Sequence, residues 1–325
     1  MPHQKTVLAG DIGGTKTLLR LSCDSTLLRE QRYDSAAFPG LEAILADFLG
    51  ATVPDSACFG VAGPVQGGMA KITNLPWLID AAVIAAQFKI GQVALINDFQ
   101  AVAYGIGALP ASDLLTLQAG QARQHGPRAV IGAGTGLGEG YLVWRDDAYQ
   151  ALPSEGSHAD FAPANDLQVD LWRHLAQHFG HVSWERVVSG PGLAAIYEFL
   201  RKRGEFAESP ELAAAMRDGD PSAAISAHAM QRHDALALAA LDLFIAAYGA
   251  ETGNLALKIL ATGGVYVAGG IAPKIAERLQ AGGFLRAFLA KGRFAELLAT
   301  LPVHVVLNPQ VGLLGAEVIA RNRST

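Results

Sequence analysis

An α/β fold in two lobes, built on a repeated unit of strand, glycine turn and strand, is predicted by three observations. Apolar runs of strand length alternate with helical stretches along most of the 325 residues. Two glycine-rich turns, Gly10 to Thr15 and Gly132 to Gly138, each have a strand on both sides, so one grammar occurs twice. Half of the residues are hydrophobic and 17% are charged, which gives the chain a sizeable core to bury and excludes a disordered polymer.

Taken in order, Thr6 to Ala9 is an apolar strand that stops at Gly10-Asp11-Ile12-Gly13-Gly14-Thr15-Lys16, and Thr17 to Cys23 and Leu27 to Tyr33 follow as strands. A helix is predicted over Leu41 to Leu49, a strand over Cys58 to Ala62, and a helix over Asp80 to Lys89 with Asp80 as N-cap. Gln92 to Ile96 is a buried strand that ends at Asn97-Asp98, with a helix from Phe99 towards Gly107. The repeat opens with a strand at Arg128 to Ile131, passes through Gly132 to Gly138, and returns as a strand at Tyr141 to Trp144. Helices dominate the remainder: Asp166 to Phe179, Pro191 to Arg203 behind Ser189, and one long Ala/Leu-rich stretch from about Pro221 to Leu260. Val265 to Ala268 leads through Gly269-Gly270 into a helix at Pro273 to Gln280, and Val303 to Leu307 into a last helix from about Val311 to Arg321.

The formal charge is 25 − 30 = −5 and no Lys/Arg run occurs, so neither nucleic acid nor an anionic membrane is an expected partner. A small molecule is. The uncharged tract between Lys258 and Lys274 has 15 residues and is broken by Gly263, Gly264, Gly269, Gly270 and Pro273, short of the ~20 that a bilayer needs. Met1 to Gly10 lacks a small-residue cleavage pattern, so no signal peptide is expected. Cys23 and Cys58 sit in strand-like apolar runs and read as buried thiols, consistent with a reducing cytoplasm.

Neither glycine turn is a Walker or a Rossmann loop. Thr15 stands where the first pattern requires glycine, Leu137 and Glu139 stand where the second has its third glycine, and strands rather than helices follow both turns. Such a turn can still bind phosphate through converging backbone N–H groups, with Thr15 and Thr135 adding hydroxyl donors. Asp11 would repel a phosphate unless a cation such as Mg²⁺ lies between them. An ordinary hairpin explains either turn alone; two turns, one carrying Asp11, favour phosphate.

On these residues the chain resembles the superfamily of sugar kinases, heat-shock chaperones and actin, whose first phosphate loop reads like Asp11 to Thr15 and whose second reads like Gly134-Thr135-Gly136. Within it the match is to the bacterial glucokinases of the enteric type, carried by Ile96-Asn97-Asp98-Phe99, Leu152 to Pro163, Ser189 to Leu193 and Val267 to Ile271. The resemblance implies an actin-like, ribonuclease H-like ATPase fold. Its small lobe would be residues 1–108 completed by 309–325, and its large lobe 109–308. It further implies ATP and Mg²⁺ as cofactors, D-glucose as substrate, and a homodimer in the cytoplasm.

Asp98 follows an apolar strand and precedes a helix, a place that suits an N-cap or a catalytic group in the crevice beyond strand ends. With Asn97 beside it, an amide and a carboxylate match the donor and acceptor pattern of sugar hydroxyls. By resemblance, Asp98 is the general base for the sugar 6-hydroxyl, a role that an unshifted carboxylate can fill, and Asn97, Asp98, Glu155, His158 and Glu185 bind the sugar. Gly10, Asp11, Ile12, Gly13, Gly14, Thr15, Gly134, Thr135, Gly136, Gly269 and Gly270 form the ATP site, with Asp11 on Mg²⁺ through water. Because these groups fall in both lobes, the resemblance implies that sugar and nucleotide bridge a cleft that glucose closes.

Ser157 stands where the resembling motif has glycine, and Trp77, in Asn74-Leu75-Pro76-Trp77, is expected at the lobe interface. His174, His178 and His181 have a spacing that metal ligands use but read as solvated side chains, and Cys23 and Cys58 do not supply the Cys-rich zinc motif of related repressors and kinases. Three competing functions remain: a kinase of another hexose, a chaperone-like ATPase, and a sugar-sensing regulator. The regulator would need a helix-turn-helix ahead of the first turn, where ten residues precede Asp11.

Overall fold

The computed structural model describes residues 5–24, 26–72 and 75–322. They form two compact units: one of Met1–Ala111, Tyr149–Pro153 and Asn308–Thr325, the other of Ser112–Ala148 and Ser154–Leu307.

In the first unit, β1 (Thr6–Ile12) and β4 (Ser56–Val61) are almost wholly buried, as continuous apolar runs should be in a central parallel pair. β2 (Lys16–Cys23) separates them from β3 (Thr26–Asp34), whose Arg29, Glu30 and Arg32 suit an edge exposed to water. Helix α1 (Leu41–Leu49) is the crossover before β4. A short sheet of β5 (Val65–Gln66), β6 (Met69–Lys71) and β7 (Leu78–Asp80), unforeseen in the sequence, precedes α2 (Ala81–Phe88). Asp80 caps α2 as expected, accepting from the N–H groups of Ala82 and Val83. β8 (Gln92–Asn97) completes the order β3-β2-β1-β4-β8, antiparallel within β1, β2 and β3 and parallel across β1, β4 and β8. Asp11 pairs with Gly60 and Val61 with Asn97, so the ends of the parallel strands carry Asp11 and Asn97 to one edge, where α3 (Asp98–Gly105) begins.

Trp77 is 3% exposed within the first unit's apolar cluster, among Ile72, Ile79 and Ile84, and so is a core residue rather than the boundary residue expected. Asn74 lies outside the described residues. Cys58 is buried as expected, whereas Cys23, at the end of β2, is only half-buried; the two form no disulfide with each other.

The second unit contributes β9 (Leu114–Gln118), β10 (Arg128–Ala133) and β11 (Leu137–Arg145). β12 (Ala148–Ser154) follows; its Tyr149–Pro153, assigned in the sequence reading to the larger lobe, groups with the first unit, where Gln100 Nε2 donates to Ala151 O at 3.2 Å. Next come α4 (Asp166–Phe179), capped by Asn165, and α5 (Gly190–Arg203), capped by Ser189. The long stretch from Pro221 is not one helix. After α6 (Pro210–Asp218), α7 (Pro221–Ala227) runs into a π-turn at His228–Arg232, His233 takes a left-handed conformation, and Asp234 caps a fresh helix, α8 (Ala235–Ile259). By length and composition α8 is apolar enough to cross a membrane, but 72% of its most apolar window is buried inside the protein, where it forms the spine of the second core.

β13 (Gly264–Ala268) leads through Gly269-Gly270 into a 3₁₀ turn, Ala272–Ile275, and only then into the short α9 (Ala276–Gln280), because Pro273 sits in the tight turn. Then follow α10 (Gly283–Leu289), α11 (Ala295–Ala299) and β14 (Val303–Val306). The strands run β11-β10-β13-β14-β9, with β10, β13 and β14 parallel. The last helix, α12 (Val311–Asn322), belongs to the first unit, where Leu313, Ala316 and Ala320 pack against Cys58 and Ala101.

Candidate active site

In the first unit the structure assembles the residues singled out around Asp11 and Asp98. Asn97, not Asp98, is the N-cap of α3: its Oδ1 accepts from the N–H groups of Phe99 (2.9 Å) and Gln100 (3.3 Å), and its Nδ2 donates to Gly63 O at 3.3 Å. Asp98 is thereby released from the capping role and begins the helix, with one carboxyl oxygen accepting from Phe99 N–H at 2.8 Å. Burial pushes the Asp98 carboxyl up to about 6, with the nearby charge of Asp11 adding to the shift and the Phe99 N–H opposing it. An unshifted carboxylate could fill the role, but the one that the fold provides is raised. Asp11 is also raised, by burial first, with Lys16 pulling the other way.

The first glycine turn is a hairpin closed by Gly13 N–H to Lys16 O at 2.9 Å and buttressed by Ser35, whose hydroxyl donates to Gly13 O at 2.8 Å. Among the described residues, the N–H groups of Gly14 and Thr15 have no protein acceptor, which leaves them for an anion.

The second unit gathers its own set. Gly134 N–H donates to Gly136 O, Gly190 N–H to Gly134 O, and Glu185 Oε2 accepts from Leu137 N–H at 3.0 Å. Glu185 N–H in turn donates to Ser157 O at 3.0 Å, so the Glu155 to His158 turn, Glu185 and the second glycine turn form one hydrogen-bonded frame. Glu155 and His158 point outward from it, their side chains 88% and 59% exposed and 3.9 Å apart. Ser157 fits without strain, because Gly156–His158 is a right-handed 3₁₀ turn and Ser157 is not among the residues with positive φ. Gly269 has φ +84°, and a Cβ there would stand 2.5 Å from Ala133 O, so only glycine lets the β13 turn press against the second glycine turn. Gly270 and Thr135 are exposed beside it.

Sequence reasoning missed three residues here. The Tyr248 hydroxyl accepts from Ala133 N–H at 3.1 Å, from inside α8, where an aromatic in an apolar helix gives no signal. Ser154 Oγ accepts from Gly156 N–H at 3.0 Å. Glu139 is 3% exposed with neither carboxyl oxygen receiving a hydrogen bond from a donor among the described residues, and an acidic residue in an apolar strand was the available sign. The histidine trio is not a metal site: His181 bonds Asp160 at 3.0 Å, His178 bonds His174 O, and the described residues hold no group of three or more His, Cys, Asp or Glu side chains suited to a metal.

Comparison with known proteins identifies the family. A family model described as Glucokinase matches residues 8–323. A curated protein of Nostoc sp. named glucokinase is 50% identical over 97% of this chain and 98% of its own length. One of Yersinia pestis, with the same name, is 38% identical over 97% and 96%. The crystal structure of a glucokinase from an Antarctic psychrotroph superposes with a TM-score of 0.85 at 30% identity, covering 98% of this chain and all of the other. The two-lobed, actin-like architecture expected from the glycine turns is therefore the fold of this protein, and the chain belongs to the glucokinase family.

Proposed function

We propose that this protein transfers the γ-phosphoryl group of ATP to the 6-hydroxyl of D-glucose, with Asp98 as the base. The observation that carries the reading is the Asp98 carboxyl itself: at the head of α3, freed from capping by Asn97, and raised only to about 6, so that it is ionised at neutral pH yet basic enough to take a proton. As the hydroxyl oxygen bonds to phosphorus, its O–H bond breaks towards Asp98, the bond from phosphorus to the bridging oxygen of ATP breaks, and ADP leaves with that electron pair. The hydroxyl becomes acidic only as this bond forms, so positioning and charge stabilisation supply most of the acceleration.

Glu155, His158 and Glu185 supply acceptors and donors for ring hydroxyls, each charge-assisted bond contributing about 1.5–3 kcal/mol. The N–H groups of Gly14, Thr15, Thr135 and Gly136, which have no acceptor among the described residues, suit phosphate oxygens. Asp11 offers hard oxygen donors in a buried, anionic setting that fits Mg²⁺, held through water; the ion would neutralise phosphate charge. The homodimer, the cytoplasmic location and the preference for glucose over other hexoses belong to the same proposal. A coupled assay of sugar-dependent ADP release, with ³¹P NMR of the product, tests it. Glucose-dependent release with phosphate on the 6-oxygen is expected; ATP hydrolysis indifferent to sugar would point to the chaperone-like reading, and sugar binding without turnover to the regulator.

A further inference from the structure

Glu139 lies on β11 beneath the turn that carries Glu155 and His158. Its carboxyl abuts the Gly156 backbone so closely that a Cβ at Gly156 would collide with Oε2, which makes the glycine a condition of the contact. Neither oxygen receives a hydrogen bond from a donor among the described residues, although the side chain is 97% removed from water. A carboxylate in that state would be strongly disfavoured, whereas a neutral carboxyl packs there at modest cost.

We propose that Glu139 is a positioning residue for sugar recognition, its carboxyl setting the shape of the Ser154 to His158 turn from below. This rests on the reading of Glu155 and His158 as sugar ligands. The groups around Glu139 assign its proton. Glu251, on α8 and fully buried, accepts from Asn254 Nδ2 at 2.7 Å and from Lys258 Nζ at 3.4 Å, so it carries the negative charge of the pair. Glu139 has no such donors and keeps the proton, donating it as a hydrogen bond to Glu251: burial, then the charge of Glu251, push it up to about 8, against Lys258. Lys291, beyond α10, faces Glu251 and is lowered by its own burial, and the Tyr248 phenol, raised by burial, also senses Glu139. Loss of the Glu139 proton would place a second buried negative charge against Glu251 and the turn. The turn must then shift to admit water or a cation, and Glu155 and His158 move with it.

The test is the glucose KM as a function of pH in the wild type, Glu139→Gln and Glu139→Asp. The wild-type KM should rise at least threefold between pH 7 and 9.5 while kcat and the KM for ATP change less than twofold. Glu139→Gln, neutral at every pH, should match the wild type at pH 7 and stay flat. Glu139→Asp, whose carboxyl is drawn back from Gly156, should raise the glucose KM several-fold at pH 7 with kcat nearly unchanged. A flat wild-type profile, or a rise that survives in Glu139→Gln and so belongs to Lys291 or Tyr248, would overturn the assignment. Because the wild-type profile needs no variant, a Glu139→Gln protein that failed to fold would not shield it. Absence of any glucose-dependent turnover at pH 7 would instead defeat the functional reading on which the proposal rests.

Discussion

Each unit holds a pair of carboxyl groups raised by burial, one member of each raised further by the charge of the other, and the two pairs end in different states. In the first unit Asp98 retains some access to water and receives the Phe99 N–H, which limits its rise to about 6. In the second, Glu139 is sealed in and receives nothing, and reaches about 8. A hydrogen-bond donor thus decides whether a buried carboxyl is ionised at neutral pH and available as a base, or neutral and available only as a packing group. The pairs differ in neighbours too. Asp11 and Asp98 stand beside a turn with free N–H groups, whereas Glu139 and Glu251 stand beside Lys258 and Lys291.

The largest effect expected from this contrast is on metal. Chelation by EDTA should abolish turnover and Mg²⁺ alone should restore it, while the Tm of the ligand-free protein stays unchanged, if the proposed ion is held beside Asp11 together with the nucleotide phosphates rather than by the protein alone. Stoichiometric zinc whose removal unfolds the protein would break the comparison. Next in size is Glu185→Ala, which removes the acceptor of Leu137 N–H at the second glycine turn. Losing one charge-assisted bond of about 1.5–3 kcal/mol should raise the KM for glucose about 10- to 100-fold. The KM for ATP should rise by a smaller factor; an unaltered KM for ATP would show that the frame linking the turns is only structural.

The smallest effect is on stability. In both groups the folded carboxyl holds its proton more tightly than the unfolded one, so stability declines as pH climbs from the ordinary value to the raised one. That window runs from 3.8 to about 6 for Asp98 and from 4.5 to about 8 for Glu139. Relative to pH 4, Asp98→Asn should therefore gain a few degrees of Tm that level off above pH 6, whereas the gain of Glu139→Gln should keep growing to about pH 8. Thermal melts across that range would expose an inverted order.

Much of this was legible in the sequence because the relevant signals are local. Asp80 and Ser189 announce their helices through capping, and the two glycine turns announce themselves through strands on both sides. Asp98 was legible as a functional group but not in its state, because a carboxyl's ionisation depends on what covers it. That Asn97 is the cap was not legible for a similar reason: either residue caps well, and only backbone geometry chooses between neighbours. The break within the helical stretch from Pro221 was not legible because Ala and Leu propensity hid the π-turn before Asp234. Tyr248 and Glu139 act across long sequence separations, through contacts that no periodicity encodes.

The central claim is that Asp98 takes the proton while recognition of the sugar rests mainly on other groups. Calorimetric glucose affinity and steady-state kcat of Asp98→Asn, measured on one preparation, test it most directly. A glucose Kd within a few-fold of the wild type and a kcat lower by ~10² to 10⁴ are expected. A variant that kept more than a tenth of the wild-type kcat would contradict it.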